Sequence, residues 1–200
     1  MGSIRARGRL EARHVIRRYL IVLRGAAVSA KARSILAGVA LILSGVAAAQ
    51  AQQAELQGVY DIDAGASDDI QATVIRGTAQ LNFAIRALAR RLIAKANPPY
   101  QRIGISQDGV TASLQLDSCQ PIRMPLDGSP VRWVREDGGI DDVTGQWSYP
   151  SLVVYFKGEG GARTHKYLLD PDGRTLRLYV ELTSPRLPSP IDYILVYRRH

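Results

Sequence analysis

From residue 102 onward the chain alternates apolar and polar residues, and Asp-Gly pairs or glycine clusters punctuate the alternation. Val110, Ala112, Leu114 and Leu116 alternate with Thr111, Ser113 and Gln115. Leu176, Leu178, Val180 and Leu182 alternate with Arg177, Tyr179 and Glu181, and Val131 and Trp133 flank Arg132. A period of two puts one apolar set on one face of a strand. The turn signals between runs are Asp108-Gly109, Asp127-Gly128, Asp137-Gly138-Gly139, Gly158 to Gly161 and Pro171-Asp172-Gly173. Asp-Gly between alternating runs is a strong short-range hairpin signal. The pattern predicts strands at 58–63, 102–107, 110–116, 120–126, 130–136, 140–148, 151–158, 162–170, 174–183 and 191–199. Consecutive hairpins make an antiparallel meander, and so many strands curl, split into layers or close. Closure removes exposed edges. The fold class expected is therefore mainly β: a meander closing into a β-barrel, in preference to a sandwich.

One helical segment is expected between the first and second strands. Ser67 reads as a cap, with Asp68 and Asp69 in the first turn where the helix dipole favours negative charge. Ile70, Val74, Leu81, Ile85, Leu88 and Leu92 recur at helical spacing, with Arg76, Arg86, Arg90, Arg91 and Lys95 mostly off that face. This stripe is expected to bury. Gly77 falls inside the pattern and kinks or splits it, and Asn97-Pro98-Pro99 stops it.

The formal charge of +8 points at first to nucleic acid. Its location removes that reading. Residues 1–51 hold nine bases against the single acid Glu11, which leaves seventeen bases and seventeen acids beyond them. The basic stretch precedes an uncharged run, Ile35 to Ala49, which ends in Ala47-Ala48-Ala49 and Ala49-Gln50-Ala51. Positive region, apolar region and small residues, in that order, read as a secretory leader, with cleavage after Ala49 or Ala51. Gln50, Gln52 and Gln53 end the run short of the ~20 residues that span a membrane. The domain reading is a leader over 1–51 and a single domain over 52–200, periplasmic or secreted, with no stable membrane anchor after cleavage. Arg17-Arg18 lies too far upstream for twin-arginine export. The long basic stretch instead suggests a true start near Val28. Cys119 is the only cysteine, so an intrachain disulfide is excluded and the domain relies on its core.

The layout resembles the calycin group, the lipocalins and fatty-acid-binding proteins. Leu56-Gln57-Gly58-Val59-Tyr60 is similar to the Gly-x-Trp opening of those barrels, with Tyr60 in place of tryptophan. The helical segment after the first strand is similar to the lid of fatty-acid-binding proteins, and Ile194-Leu195-Val196-Tyr197-Arg198-Arg199 to their last strand. Lipocalins carry their main helix after the meander instead. Fatty-acid-binding proteins also place an arginine two residues before the last-strand tyrosine to hold a carboxylate, and here that position is Leu195. The resemblance further implies a basic residue packed over the opening aromatic at the barrel base. The candidates are Arg198, or its neighbour Arg199, over Tyr60, against a merely solvated basic terminus.

The chemistry-bearing residues are sparse. His165 sits in an alternating run and reads as a strand residue, not as the base of a catalytic triad. One cysteine and one internal histidine do not make a zinc site. Asp68-Asp69 reads as helix-start charge and Asp141-Asp142 as a solvated hairpin end. The Gly158–Gly161 stretch lacks the context of a phosphate loop. No enzyme chemistry, cofactor or nucleic-acid partner is expected. Aromatics spread over the strands suggest a lined cavity, with Trp133, Trp147, Tyr155 and Tyr167 as candidate ligand-facing residues. The function expected is binding of a small apolar or amphipathic ligand in a barrel cavity. The alternative is an envelope interaction or structural module with a filled barrel.

Overall fold

The computed structural model describes residues 55–200; the leader assigned to 1–51 lies outside the described residues. Ten strands follow one another: β1 (Gly58–Ile62), β2 (Arg102–Gln107), β3 (Thr111–Leu116), β4 (Ile122–Pro125), β5 (Val131–Val134), β6 (Ile140–Ser148), β7 (Ser151–Gly158), β8 (Gly161–Leu169), β9 (Thr175–Thr183) and β10 (Ile191–Arg199). Between β1 and β2 lie two helices, α1 (Ile70–Gly77) and α2 (Phe83–Ala96). The strands form one antiparallel sheet in the order β4-β3-β2-β1-β10-β9-β8-β7-β6-β5. Its one non-consecutive pairing brings Tyr60 opposite Arg199 and Ile62 opposite Tyr197. The edge strands β4 and β5 are not paired with each other. An isolated bridge from Asp127 to Gln146 and a bond from Trp133 Nε1 to the Gln120 carbonyl (3.1 Å) span that gap. The barrel is thus nearly closed.

The alternation read from the sequence is the alternation of burial. Ala112, Leu114 and Leu116 are buried on β3, Leu152, Val154 and Phe156 on β7, and Leu176, Leu178, Val180 and Leu182 on β9. Each fully buried side chain of this size contributes roughly 1.5–3 kcal/mol. The expectation of free space on the barrel axis is not met. Val154, Leu178, Phe156 and Tyr167 are each at most 1 % exposed, and the rings of Phe156 and His165 lie 4.8 Å apart. Side chains fill the centre.

The helical segment departs from expectation in two ways. First, Ser67 is not the cap. Its hydroxyl donates to the Asp63 carbonyl (2.8 Å) and accepts from Val196 N (2.9 Å), while Asp68 accepts from Ile194 N (2.7 Å). Both are occupied by β10, so Asp69 caps α1 through Ala72 N (3.0 Å). The segment is two helices, split at Gly77 as its place in the pattern suggested. Gly77 ends α1 where a Cβ would stand 2.5 Å from Ile191 Cγ1, so the glycine permits close seating of α1 on β10. Asn82 then caps α2 through Ala84 N (2.9 Å). Second, the apolar stripe does not bury as a whole. Val74 is buried, but Ile85, Leu88 and Leu92 are each more than half exposed, and α2 has no buried residue. The face of α2 nearest α1 carries arginines. Arg90 donates to Thr78 Oγ1 (2.9 Å) and the Ile75 carbonyl (3.3 Å), and Arg86 to the Leu81 carbonyl (2.9 Å). Carbonyls at a helix end lack intrahelical partners, and meeting them turns the leucines of α2 outward.

Candidate functional site

The helices stand at one end of the barrel, where β1 ends and β10 begins. Between them and the β1/β10 seam lies a half-open pocket of about 760 Å³. Its apolar walls include Ile62, Ile70, Val74 and Leu195, and its charged residues are Asp68, Asp69, Arg90 and Arg91. The seam positions Ile62 and Leu195, and the Asp69 cap sets the turn of α1 that presents Ile70 and Val74.

Strand register also assembles a buried polar cluster. Arg163 stands opposite Phe156 across the β7/β8 ladder, and Asp141 opposite Trp133 across the β5/β6 ladder. Arg163 is 5 % exposed and Asp141 2 %. Arg163 Nη2 donates to Asp141 Oδ2 (3.2 Å) and Nη1 to the Ala96 carbonyl at the end of α2 (2.8 Å). The guanidinium carbon lies 4.3 Å from the Phe156 ring centroid and 5.8 Å from that of Trp133. Arg135 Nη1 reaches the other oxygen, Asp141 Oδ1 (2.8 Å). Gly158 leaves room for this carboxylate, since a Cβ there would come within 2.7 Å of Asp141 Oδ1. Asp141 is therefore not the solvated hairpin end expected from its neighbours. Arg163 Nε is buried with no hydrogen-bond partner, and an unmet buried donor costs about 1–3 kcal/mol.

His165 and Tyr167 are deeper on β8. His165 Nδ1 lies 3.0 Å from the Tyr167 hydroxyl. Burial, then the nearby Arg163 charge, holds the His165 pKa well below its ordinary value, and burial raises that of Tyr167. His165 is thus kept neutral among aromatic rings, a core residue as its alternating run suggested.

The four aromatic candidates do not form a site together. Trp133 and Tyr167 are buried in the core, and Trp147 is half-buried against it. Tyr155 is on the outer face, 39 % exposed, because Val154 and Phe156 take the inward positions of β7. None of the four borders the pocket beneath the helices. At the opposite end of the barrel, the basic residue over Tyr60 is Arg199, not Arg198. The Arg199 guanidinium lies 5.3 Å from the Tyr60 ring and donates to its hydroxyl (2.9 Å), which itself donates to the Leu56 carbonyl (2.8 Å). Arg198 points outward to Asp63 (3.1 Å) and Thr175 (2.6 Å), because adjacent strand residues face opposite ways.

No family model and no curated protein matches the chain. Among solved structures it is similar to a mutant of the REP1-NXSQ fatty acid transporter, at a TM-score of 0.51 and 13 % identity over 74 % of this chain and 99 % of that one. It is also matched, at a TM-score of 0.49 and 9 % identity, to Echinococcus granulosus fatty-acid-binding protein 1, over 72 % of this chain and 97 % of that one. The fold is calycin-like. Its two helices lie between the first and second strands.

Sequence reasoning missed the pocket and the Arg163–Asp141 pair. Both residues fall on inward positions of alternating runs, Asp141 with Val143 and Arg163 with His165 and Tyr167. That parity was the available signal. The usual expectation that charges face water hid it.

Proposed function

We propose that this chain is an exported, non-catalytic carrier that holds a small apolar or amphipathic molecule at the helical end of its barrel. The observation that carries the reading is the pocket itself. Its volume lies within the ~300–1,000 Å³ usual for small-molecule sites, and mostly apolar walls with a few polar groups are the usual lining. The likeness to a fatty acid transporter supports the same class of cargo. Removal of apolar surface from water would supply the affinity, at roughly 25 cal/mol per Å² buried.

The test is direct. Protein purified from its own host is expected to carry a lipid-like molecule in native mass spectrometry, and the stripped protein to rebind it. Ala94 borders the pocket from exposed α2, so Ala94→Trp is expected to weaken rebinding by about tenfold or more. Unchanged affinity in that variant removes the pocket from the account. Export is tested by N-terminal sequencing of the protein outside the cytoplasm, which is expected to begin after Ala49 or Ala51.

A second reading, an envelope interaction module, is favoured by the filled barrel centre and by the outward leucines of α2. The helical pair also carries Arg76, Arg86, Arg90, Arg91 and Lys95 with no acid between residues 70 and 96. An apo protein that copurifies with no small molecule, and binds none, would favour it.

A further inference from the structure

Helix α2 shows water the residues that a helix of this pattern normally hides. Phe83, its first residue, is 87 % exposed, and Ile85, Leu88 and Leu92 are each more than half exposed. Single exposed apolar residues are ordinary, but a run of them along one helix marks an interaction surface. The orientation is held by polar bonds. Arg86 and Arg90 donate to Leu81, Thr78 and Ile75 along one side, and Arg163 donates to the Ala96 carbonyl at the last turn. The charge around the stripe is of one sign. Arg76, Arg86, Arg90, Arg91 and Lys95 lie between residues 70 and 96, where no acid occurs. Among the described residues, none of the five enters an ion pair. Arg91 and Lys95 are exposed beside Leu88 and Leu92, at three- and four-residue spacing.

Charge selects what covers this face. A second copy of the chain would bring the same basic helix against it. Residues 1–51 hold nine bases and one acid, so they are repelled as well. An occupant must be anionic at its surface and apolar just beneath. We infer that α2 docks on a lipid surface rich in anionic head groups. A helix with an apolar face and a basic border lies in the plane of such a surface, its apolar side chains sunk to the acyl boundary. Phe83, Ile85, Leu88 and Leu92 are the inserting residues, and Arg91 and Lys95 meet the phosphates. The inference rests on the envelope-interaction reading, whose partner it names, and needs no cargo in the pocket.

The experiment places a reporter on the face. Phe83→Trp in the full chain is titrated with vesicles of phosphatidylglycerol and phosphatidylcholine in equal parts, and with phosphatidylcholine alone. The chain's own Trp133 and Trp147 sit in or against the core and give a constant background. Indole emission is expected to move to the blue with the anionic vesicles, at about tenfold less lipid than with phosphatidylcholine alone. The same titration of Tyr155→Trp, on the outer wall of the barrel, is expected to stay flat. Adding Leu88→Glu to Phe83→Trp is expected to raise the lipid needed by about tenfold or more, and adding Arg91→Glu to raise it about fivefold for the anionic vesicles only. Both sites are exposed, so the thermal unfolding midpoint is expected to hold in each. Equal response to the two lipids, or an unaltered titration in the Leu88→Glu chain, overturns the inference. So does protein that sediments with vesicles while its emission stays put, which assigns the contact to another part of the chain. A blue shift that grows with protein concentration and without lipid also overturns it, in favour of a second copy. No response to either vesicle overturns it too, yet leaves the envelope-interaction reading to a protein partner and the carrier reading untouched.

Discussion

The barrel and helix α2 were read from the same kind of signal, and they fold by different rules. In the barrel, period-two alternation names the inward residues, and closure then decides which face is inside. In α2 the 3.6-residue pattern names residues that share a face, Ile85, Leu88 and Leu92, yet that face meets solvent. Arg86 and Arg90 take the opposite side to reach carbonyls of α1 and the turn after it. Periodicity groups residues, but the hydrogen-bond needs of the neighbouring element choose the side that packs.

The largest expected effect on that comparison comes from paired truncations. Leu178→Ala in the barrel centre is expected to cost about 2–5 kcal/mol in denaturant unfolding, against about 0.5 kcal/mol or less for Leu88→Ala on α2. A comparable cost at Leu88 would mean that its face is covered. Next comes the seat of α1. Gly77→Ala brings a Cβ against Ile191 and is expected to cost about 1–3 kcal/mol, most of it absent when the same change is made in an Ile191→Ala background. Additive costs in the double variant would deny the contact. At the other end of the barrel, Arg199→Met is expected to lose about 0.5–2 kcal/mol through the Tyr60 ring, and Arg198→Met, exposed and outward, less. The reverse order would return the closing role to Arg198.

A smaller effect is read in pH. The buried His165 has its folded pKa lowered, so the unfolded chain binds the proton more readily. The contribution of neutral His165 is complete above the unfolded value near 6.5 and is lost as pH falls below it, by at most about 1.4 kcal/mol per pH unit. His165→Gln is expected to flatten the stability slope between about pH 6.5 and 5. An unaltered slope would show that another group titrates there.

Much of the fold was legible. The strand expected at 174–183 is Thr175–Thr183 and that at 102–107 is Arg102–Gln107. The strand expected at 130–136 stops at Val134, because Arg135 N turns to the Gly139 carbonyl (2.8 Å). The site was far less legible. Both faces of β7 are apolar, with Val153 and Tyr155 on one and Leu152, Val154 and Phe156 on the other, so the sequence alone did not say that Tyr155 faces out. The pocket joins α1 and α2 to residues of β1 and β10, and its walls come together only when the first and last strands pair.

The account's central claim is that cargo lodges beneath the helices and not on the barrel axis. Methyl-resolved NMR of the protein titrated with decanol tests it most directly. Large shifts are predicted at Ile62, Ile70, Val74 and Leu195, with Val154, Leu178 and Val180 little changed. Shifts concentrated at Val154, Leu178 and Val180 would contradict it.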